Sequence, residues 1–342
     1  MKVALLGYSQ AGKRTLFSLL TGRSIPPGRK DTESVEGMAP VRDPRVDAIA
    51  RMVQPEKTKY AETAFVLCPD IHEGSNDRPW MDPARQCDLM CLVVRAFKSE
   101  SVYHPKGSVD AERDRSSLEA ELLLADLELI EKRLERIGKE KRAGQTPAQV
   151  QEEKTLNRCH QAIEAGTKIG GLALEPHELG AVRSLNLFVL NPVLWTYNVD
   201  ESDVREDGAD ALTIACKIEQ EIMGIENADE RQEYLAALGV ASSGLDRMNR
   251  AAYAAMGLMS FYTMGKDEVR AWTIRKGSTA PVAAGKIHSD MERGFIRAEV
   301  IKYDDLVSLG SEAAVKAHGK ALLKGKDYVI EDGDICEIRF SA

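Results

Sequence analysis

The first twenty residues place the tightest limit on what this chain can fold into. An apolar run, Val3-Ala4-Leu5-Leu6, meets Gly7, and it is followed by Gly12-Lys13-Arg14-Thr15 and the amphipathic stretch Leu16-Phe17-Ser18-Leu19-Leu20. A buried strand, a glycine loop and a helix start are the setting of the pattern G-x-x-x-x-G-K-[ST]. Its glycines let successive backbone N–H groups curl around phosphate oxygens, while its lysine bridges the outer phosphates. Gly7, Gly12 and Lys13 satisfy the pattern, with Gln10 and Ala11 in the loop and Thr15 just beyond it. The position after the lysine normally offers a hydroxyl to Mg²⁺, and here it is Arg14. The spelling predicts a phosphate cradle with one metal ligand missing; the rival reading is a plain glycine turn.

At 342 residues the chain is too long for one ordinary core, so two or three domains are expected. With 43% hydrophobic and 29% charged residues it reads as a folded globular chain rather than a disordered one. A net charge of -8 argues against wholesale coating of nucleic acid and leaves room only for local basic patches. No apolar run reaches the roughly 18 residues that span a bilayer, and the first apolar stretch is a strand closed by Gly7 rather than a secretion signal. The expected location is cytoplasmic. Cys68, Cys87, Cys91, Cys159, Cys216 and Cys336 form no C-x-x-C pair, and most sit in apolar runs, as reduced core thiols do.

Residues 23–43, rich in Pro, Gly and charge, read as a long loop. Pro44 then opens a helix through Val46, Ile49 and Met52. Residues 63–68 and 89–94 read as buried strands, and 70–83 as another irregular loop. Leu123, Leu127, Ile130, Leu134 and Ile137 recur at steps of four and three, which is a coiled-coil seam. The seam breaks at Gly144. Thr146 as cap and Pro147 at the first helical position restart a helix carrying Leu156, Cys159 and Ile163. Two such helices make an antiparallel hairpin whose tip carries Lys139, Lys141 and Arg142, either a solvated turn or a phosphate-backbone contact.

Residues 184–190 and 193–199 return to buried strand character. The second run ends in Asn198-Val199-Asp200-Glu201 at the carboxyl edge of a strand, where open α/β sheets bind ligands. An amide and a carboxylate there could read a base or form an ordinary turn. Residues 211–216 read as one more strand and the segment to Met259 as helical. The last block reads as strands at 268–274, 296–301, 328–330 and 335–340 around a helix at 283–291, with Asp332-Gly333 turning between the final two.

Several long strings carry a resemblance. Glu268-Val269-Arg270-Ala271-Trp272-Thr273, Gly294-Phe295-Ile296-Arg297-Ala298-Glu299-Val300, Gly325-Lys326-Asp327-Tyr328-Val329-Ile330 and Asp332-Gly333-Asp334 look like a TGS domain. With Asp43-Pro44-Arg45-Val46-Asp47 and Asp126-Leu127, the chain resembles the Obg-like ATPases of the YchF type over nearly its whole length. The resemblance implies an α/β fold: a P-loop NTPase G domain in two parts (1–110 and 181–257), an inserted antiparallel helical coiled coil (111–180) and a C-terminal β-grasp TGS domain (258–342). It implies ATP preferred over GTP as cofactor, because the guanine-reading N-K-x-D is replaced by N-x-x-E, matched by Asn198, Val199, Asp200 and Glu201. Lys13 and the loop amides would hold the phosphates, Thr15 the α-phosphate, and Asn198 with Glu201 the adenine. A translation-associated role follows by the same resemblance, with ribosome or RNA as partner and neither membrane binding nor reading of DNA sequence. The tip residues together with Arg270, Arg275 and Lys276 are the candidate basic contacts.

The departures from that family fall on catalytic machinery. Arg14 replaces the Mg²⁺ serine, and Leu67 lies where the D-x-A-G-L element places its metal-associated aspartate. The second switch is shortened to Cys68-Pro69-Asp70-Ile71. Phosphoryl transfer in P-loop enzymes leans on Mg²⁺ and on switch residues that place water, so weak or lost hydrolysis is expected, no residue is assigned a catalytic role, and the usual Mg²⁺ site is not expected to be intact. Two alternatives stay open: a competent ATPase whose metal site is rebuilt from Asp31, Thr32 or Asp70, and a nucleotide-free module docking on ribosome or RNA.

Overall fold

In the computed structural model the described residues are 1–26, 28, 30, 32–75, 77–141, 144–205, 211–240 and 242–341. They divide into two compact units, residues 1–39 with 64–248 and residues 40–63 with 249–342.

The first sheet holds strands β1 (Lys2–Leu6), β2 (Val35–Val41), β4 (Ala61–Leu67), β5 (Leu89–Arg95), β6 (Val193–Asn198) and β7 (Ala211–Ile214), in the order β2-β4-β1-β5-β6-β7. From β4 to β7 the pairs are parallel. Strands buried on both faces read as unbroken apolar runs, and Val3, Leu5, Leu6, Leu89 and Leu92 are all fully buried. β1 sits in the middle, Leu5 opposite Leu67 on one side and Cys91 on the other. The chain therefore leaves β1 toward both flanks of the sheet, which opens a crevice at its carboxyl end.

Two sequence expectations are corrected in this unit. Part of the loop expected at 23–43 is the strand β2, with Ala39 and Val41 buried. Small inward residues (Gly37, Ala39) and Pro40 hide its period-two pattern, and Pro is tolerated on such an edge strand. Residues 184–190 do not form a strand. They make two 3₁₀ turns, Arg183–Leu185 and Phe188–Leu190, hinged at Asn186 with φ 45. Asp126 accepts the Val189 N–H at 2.8 Å, and Val182, Leu187 and Val189 close the core of the helical hairpin.

That hairpin pairs helix Ala111–Glu140, capped by Asp110, with helix Pro147–Glu164, which starts in a Thr146–Gln149 capping box. Ile130 and Ile137 pack with Leu156, Cys159 and Ile163. Arg133 grips Glu152 through two bonds of 2.6 and 2.7 Å, while His160 lies 3.3 Å from Glu131, so the helices run antiparallel. The near half of the first helix lies in the sheet domain, where Leu118, Leu122 and Ala125 share a core with Ile71, Trp80 and Trp195.

The second unit holds β3 (Lys57–Lys59), β8 (Leu258–Met264), β9 (Glu268–Arg275), β10 (Phe295–Lys302), β11 (Leu322–Lys324) and β12 (Asp334–Phe340), in the order β11-β10-β12-β8-β9-β3. β8 pairs antiparallel with β9 and parallel with β12, which pairs antiparallel with β10. Phe261, Ile274, Ala283, Ala284, Phe295 and Ala298 form its core. Residues 328–330, expected as a strand, contribute only the isolated bridge Thr279–Val329. The expected single helix is two, Ala280–Ile287 and Ser289–Arg293, broken at extended His288. α2 (Pro44–Val53) belongs here, capped by Asp43. All six cysteines are buried, and none of them is in a disulfide. Among the described residues no helix is long and apolar enough to cross a membrane.

Candidate functional site

The crevice beyond β1 is filled by residues 7–12 and by the first turn of α1 (Lys13–Thr21). Gly7 has φ 148 and Gly12 φ 97, the second acting as N-cap of the helix. These are conformations that side chains disfavour, and an added Cβ would force a neighbour to shift. At Gly7 it would run into the Val93 carbonyl, and at Gly12 into the Asn198 amide. Gln10 adopts φ 61, which adds a second left-handed residue to the curl. Successive N–H groups in such a curl form an anion-binding concavity, reinforced by a helix N-terminus.

Lys13 is almost fully buried, with a side chain 3% exposed. Its Nζ donates to the carbonyls of Gly7 (2.8 Å) and Tyr8 (2.6 Å) and stands 2.7 Å from Asp70 Oδ1. Burial pushes the Lys13 pKa down against the pull of Asp70. Burial acts in the opposite sense on Asp70, but the charge and hydrogen bond of Lys13, with help from Ser9 and Arg14, hold its carboxyl below the usual range. The 2.7 Å separation is that of an ion pair.

Beside the loop lies a cavity of about 1090 Å³. Gln10, Gly12, Thr15, Asn198, Val199 and Glu201 line it, whereas Lys13 does not. Asn198 anchors its floor: Nδ2 donates to the Ala11 carbonyl at 3.1 Å, and Oδ1 accepts the Cys216 N–H at 3.2 Å. Sequence reasoning missed the remaining walls, which come from the loop after β5 (Phe97, Lys98) and from the start of helix Cys216–Gly224 (Cys216, Lys217). Arg95 shapes the first of these by donating to the carbonyls of Phe97, Ser99 and Tyr103. The available signal was positional, since both segments follow a strand of the parallel sheet at its carboxyl end.

The metal positions do not match a Mg²⁺ site. Leu67 is wholly buried hydrocarbon, Arg14 is an exposed cation, and Asp70 is engaged by Lys13. Thr32 is exposed in a turn, and Asp31 lies outside the described residues. Hard divalent cations require oxygen ligands; among the described candidates only Asp70 and Thr32 carry them, and Asp70 is held by Lys13. At the hairpin tip Lys139 pairs with Glu135 (2.7 Å) and Lys141 with Glu153 (3.3 Å), while Arg142 lies outside the described residues. Arg270 lies over the Trp272 ring at 3.9 Å.

A curled glycine loop between a buried strand and a helix, at the carboxyl edge of a parallel sheet, defines a P-loop G-domain fold. The family model YchF-GTPase_C, described as "Protein of unknown function (DUF933)", matches residues 258–341. The chain is similar to the ribosome-binding ATPase YchF of Bacillus subtilis, 33% identical over 100% of this chain and 99% of that one. The Haemophilus influenzae protein of the same name is 34% identical over 99% of each. Among solved structures, the YchF GTPase of Schizosaccharomyces pombe aligns with a TM-score of 0.82 and 28% identity, covering 99% of this chain and 97% of that one. The chain belongs to the YchF family.

Proposed function

We propose that this protein binds an adenine nucleotide on residues 7–15, works with the ribosome or its RNA, and hydrolyses nucleotide weakly or not at all. The observation that carries the reading is the loop itself: two glycines in conformations that side chains disfavour, one against the Val93 carbonyl and one against the Asn198 amide, curled beside a cavity large enough for a nucleotide. Asn198 and Glu201 on the cavity wall support a preference for ATP over GTP. The names of the Bacillus and Haemophilus relatives support the ribosome as partner and the cytoplasm as location. The division into G domain (1–110, 181–257), coiled coil (111–180) and TGS domain (258–342) belongs to the same proposal.

Weak hydrolysis rests on Leu67 and Arg14, which leave the loop without the oxygen ligands a catalytic Mg²⁺ needs. Calorimetry with ATP, ADP and GTP, each in EDTA and in excess Mg²⁺, tests the site. Adenine nucleotides should bind, GTP more weakly, and Mg²⁺ should change affinity little. Turnover matching that of an intact P-loop ATPase, or binding seen only with Mg²⁺, would refute the reading. Co-sedimentation with ribosomes across a salt series tests the partner, because phosphate-backbone contacts weaken steeply with salt.

A further inference from the structure

We infer that Asp70 is a resident anion that sets the ligand class of this site, admitting nucleoside diphosphate and disfavouring triphosphate. The inference rests on the reading of residues 7–15 as a nucleotide loop. An ammonium has three N–H donors, and in Lys13 three acceptors meet them: Gly7 O, Tyr8 O and Asp70 Oδ1. In a P-loop the lysine serves the outer phosphates. Here that role is already filled by a carboxylate from the same chain, which also takes a hydrogen bond from the Ser9 side chain.

Asp70 is held there by the backbone on both sides. Cys68 N–H donates to Leu5 O at 3.2 Å, and Ile71 N–H donates to Gly7 O at 3.1 Å. Tyr8 and Ile71 form a parallel bridge, and the side chains of Cys68 and Ile71 are buried. Pro69 removes a further backbone freedom. The carboxylate is therefore built into the strand-to-loop junction, and its register is locked to the phosphate loop itself. The cavity runs along Gly12, Thr15 and Asn198, and neither Lys13 nor Asp70 is among the residues that line it. A base, a ribose and the inner phosphates have room there. A γ-phosphate reaching for Lys13 would bring negative charge against a carboxylate in a largely buried setting, where like charges repel strongly.

Calorimetry on the full chain in EDTA, with ADP and ATP as probes, tests this on the wild type and on Asp70→Asn and Asp70→Ser. The wild type should bind ADP at least tenfold more tightly than ATP. Both variants should gain ATP affinity, so that the ratio falls to within about threefold, with ADP affinity moving less. Either variant suffices if the other unfolds, as judged by circular dichroism. Equal or tighter wild-type binding of ATP, or an ADP to ATP ratio unchanged in a folded variant, overturns the inference while leaving the nucleotide site standing. Binding of neither nucleotide to wild type or variants overturns both.

Discussion

Asn198 at the end of β6 ties the phosphate loop to the opposite side of the crevice, its amide donating to Ala11 O while its carbonyl accepts from Cys216 N. One side chain thereby joins the ends of three segments. Replacing it by alanine should leave two buried backbone groups unsatisfied, at about 1–3 kcal/mol each. Denaturant unfolding of Asn198→Ala should show that loss, and calorimetry should show adenine-nucleotide affinity falling at least tenfold. Unchanged stability would mean that the two bonds are not formed in solution.

Gly12→Ala tests the curl directly. A Cβ would collide with Asn198 and would also have to adopt φ 97, so either the loop or the amide must move. The backbone conformation alone costs about 1–2 kcal/mol. The expected result is a lower thermal midpoint together with loss of nucleotide binding. The same substitution at Gly22, also at positive φ but with open space around it, should lower stability without touching affinity.

Leu67→Asp restores a carboxylate where the family resemblance expects one, yet this structure predicts damage. Leu67 is wholly buried between β1 and the core, and exchanging it for an acid removes packing while burying a charge. A loss of about 2–5 kcal/mol is expected. Arg14→Ser, at an exposed position, should change stability far less. Urea titrations of the two single variants check the contrast, and a stable Leu67→Asp would show that this position opens toward the loop.

Acid should act on the second unit through Asp43. Burial alone would raise its pKa, but the bonds from Arg45 and Tyr262 outweigh burial and hold it below the ordinary 3.8. Arg45 also reaches Asp332 at 2.8 Å. Because the folded pKa is the lower one, the stabilisation is complete above about pH 5 and is lost as pH falls below the unfolded value toward the folded one. Asp43→Asn should flatten this acid limb of a stability-against-pH curve measured by urea midpoints. Parallel curves for the two proteins would rule Asp43 out as its source.

What the sequence determined by itself was whatever depends on neighbours along the chain. Gly7, Gly12 and Lys13 announce the loop because its curl needs glycine at fixed spacing, and Thr146-Pro147 announces a helix start because capping is local. Leu123 to Ile137 reveal the hairpin through period alone, and Val3 to Leu6 reveal a strand buried on both faces. Tertiary structure decided what depends on distant partners. The strand at β2 was hidden because small residues face inward, and the run at 184–190 became two turns because Asp126, far away in sequence, captures Val189. β3 found its place only beside β9. Above all, Asp70 read as a candidate metal ligand in a shortened switch, and only the pairing of Ile71 with the loop shows that it sits on Lys13. A charge is visible in a sequence; which charge it meets is set by the register of two strands that the chain brings together from separate places.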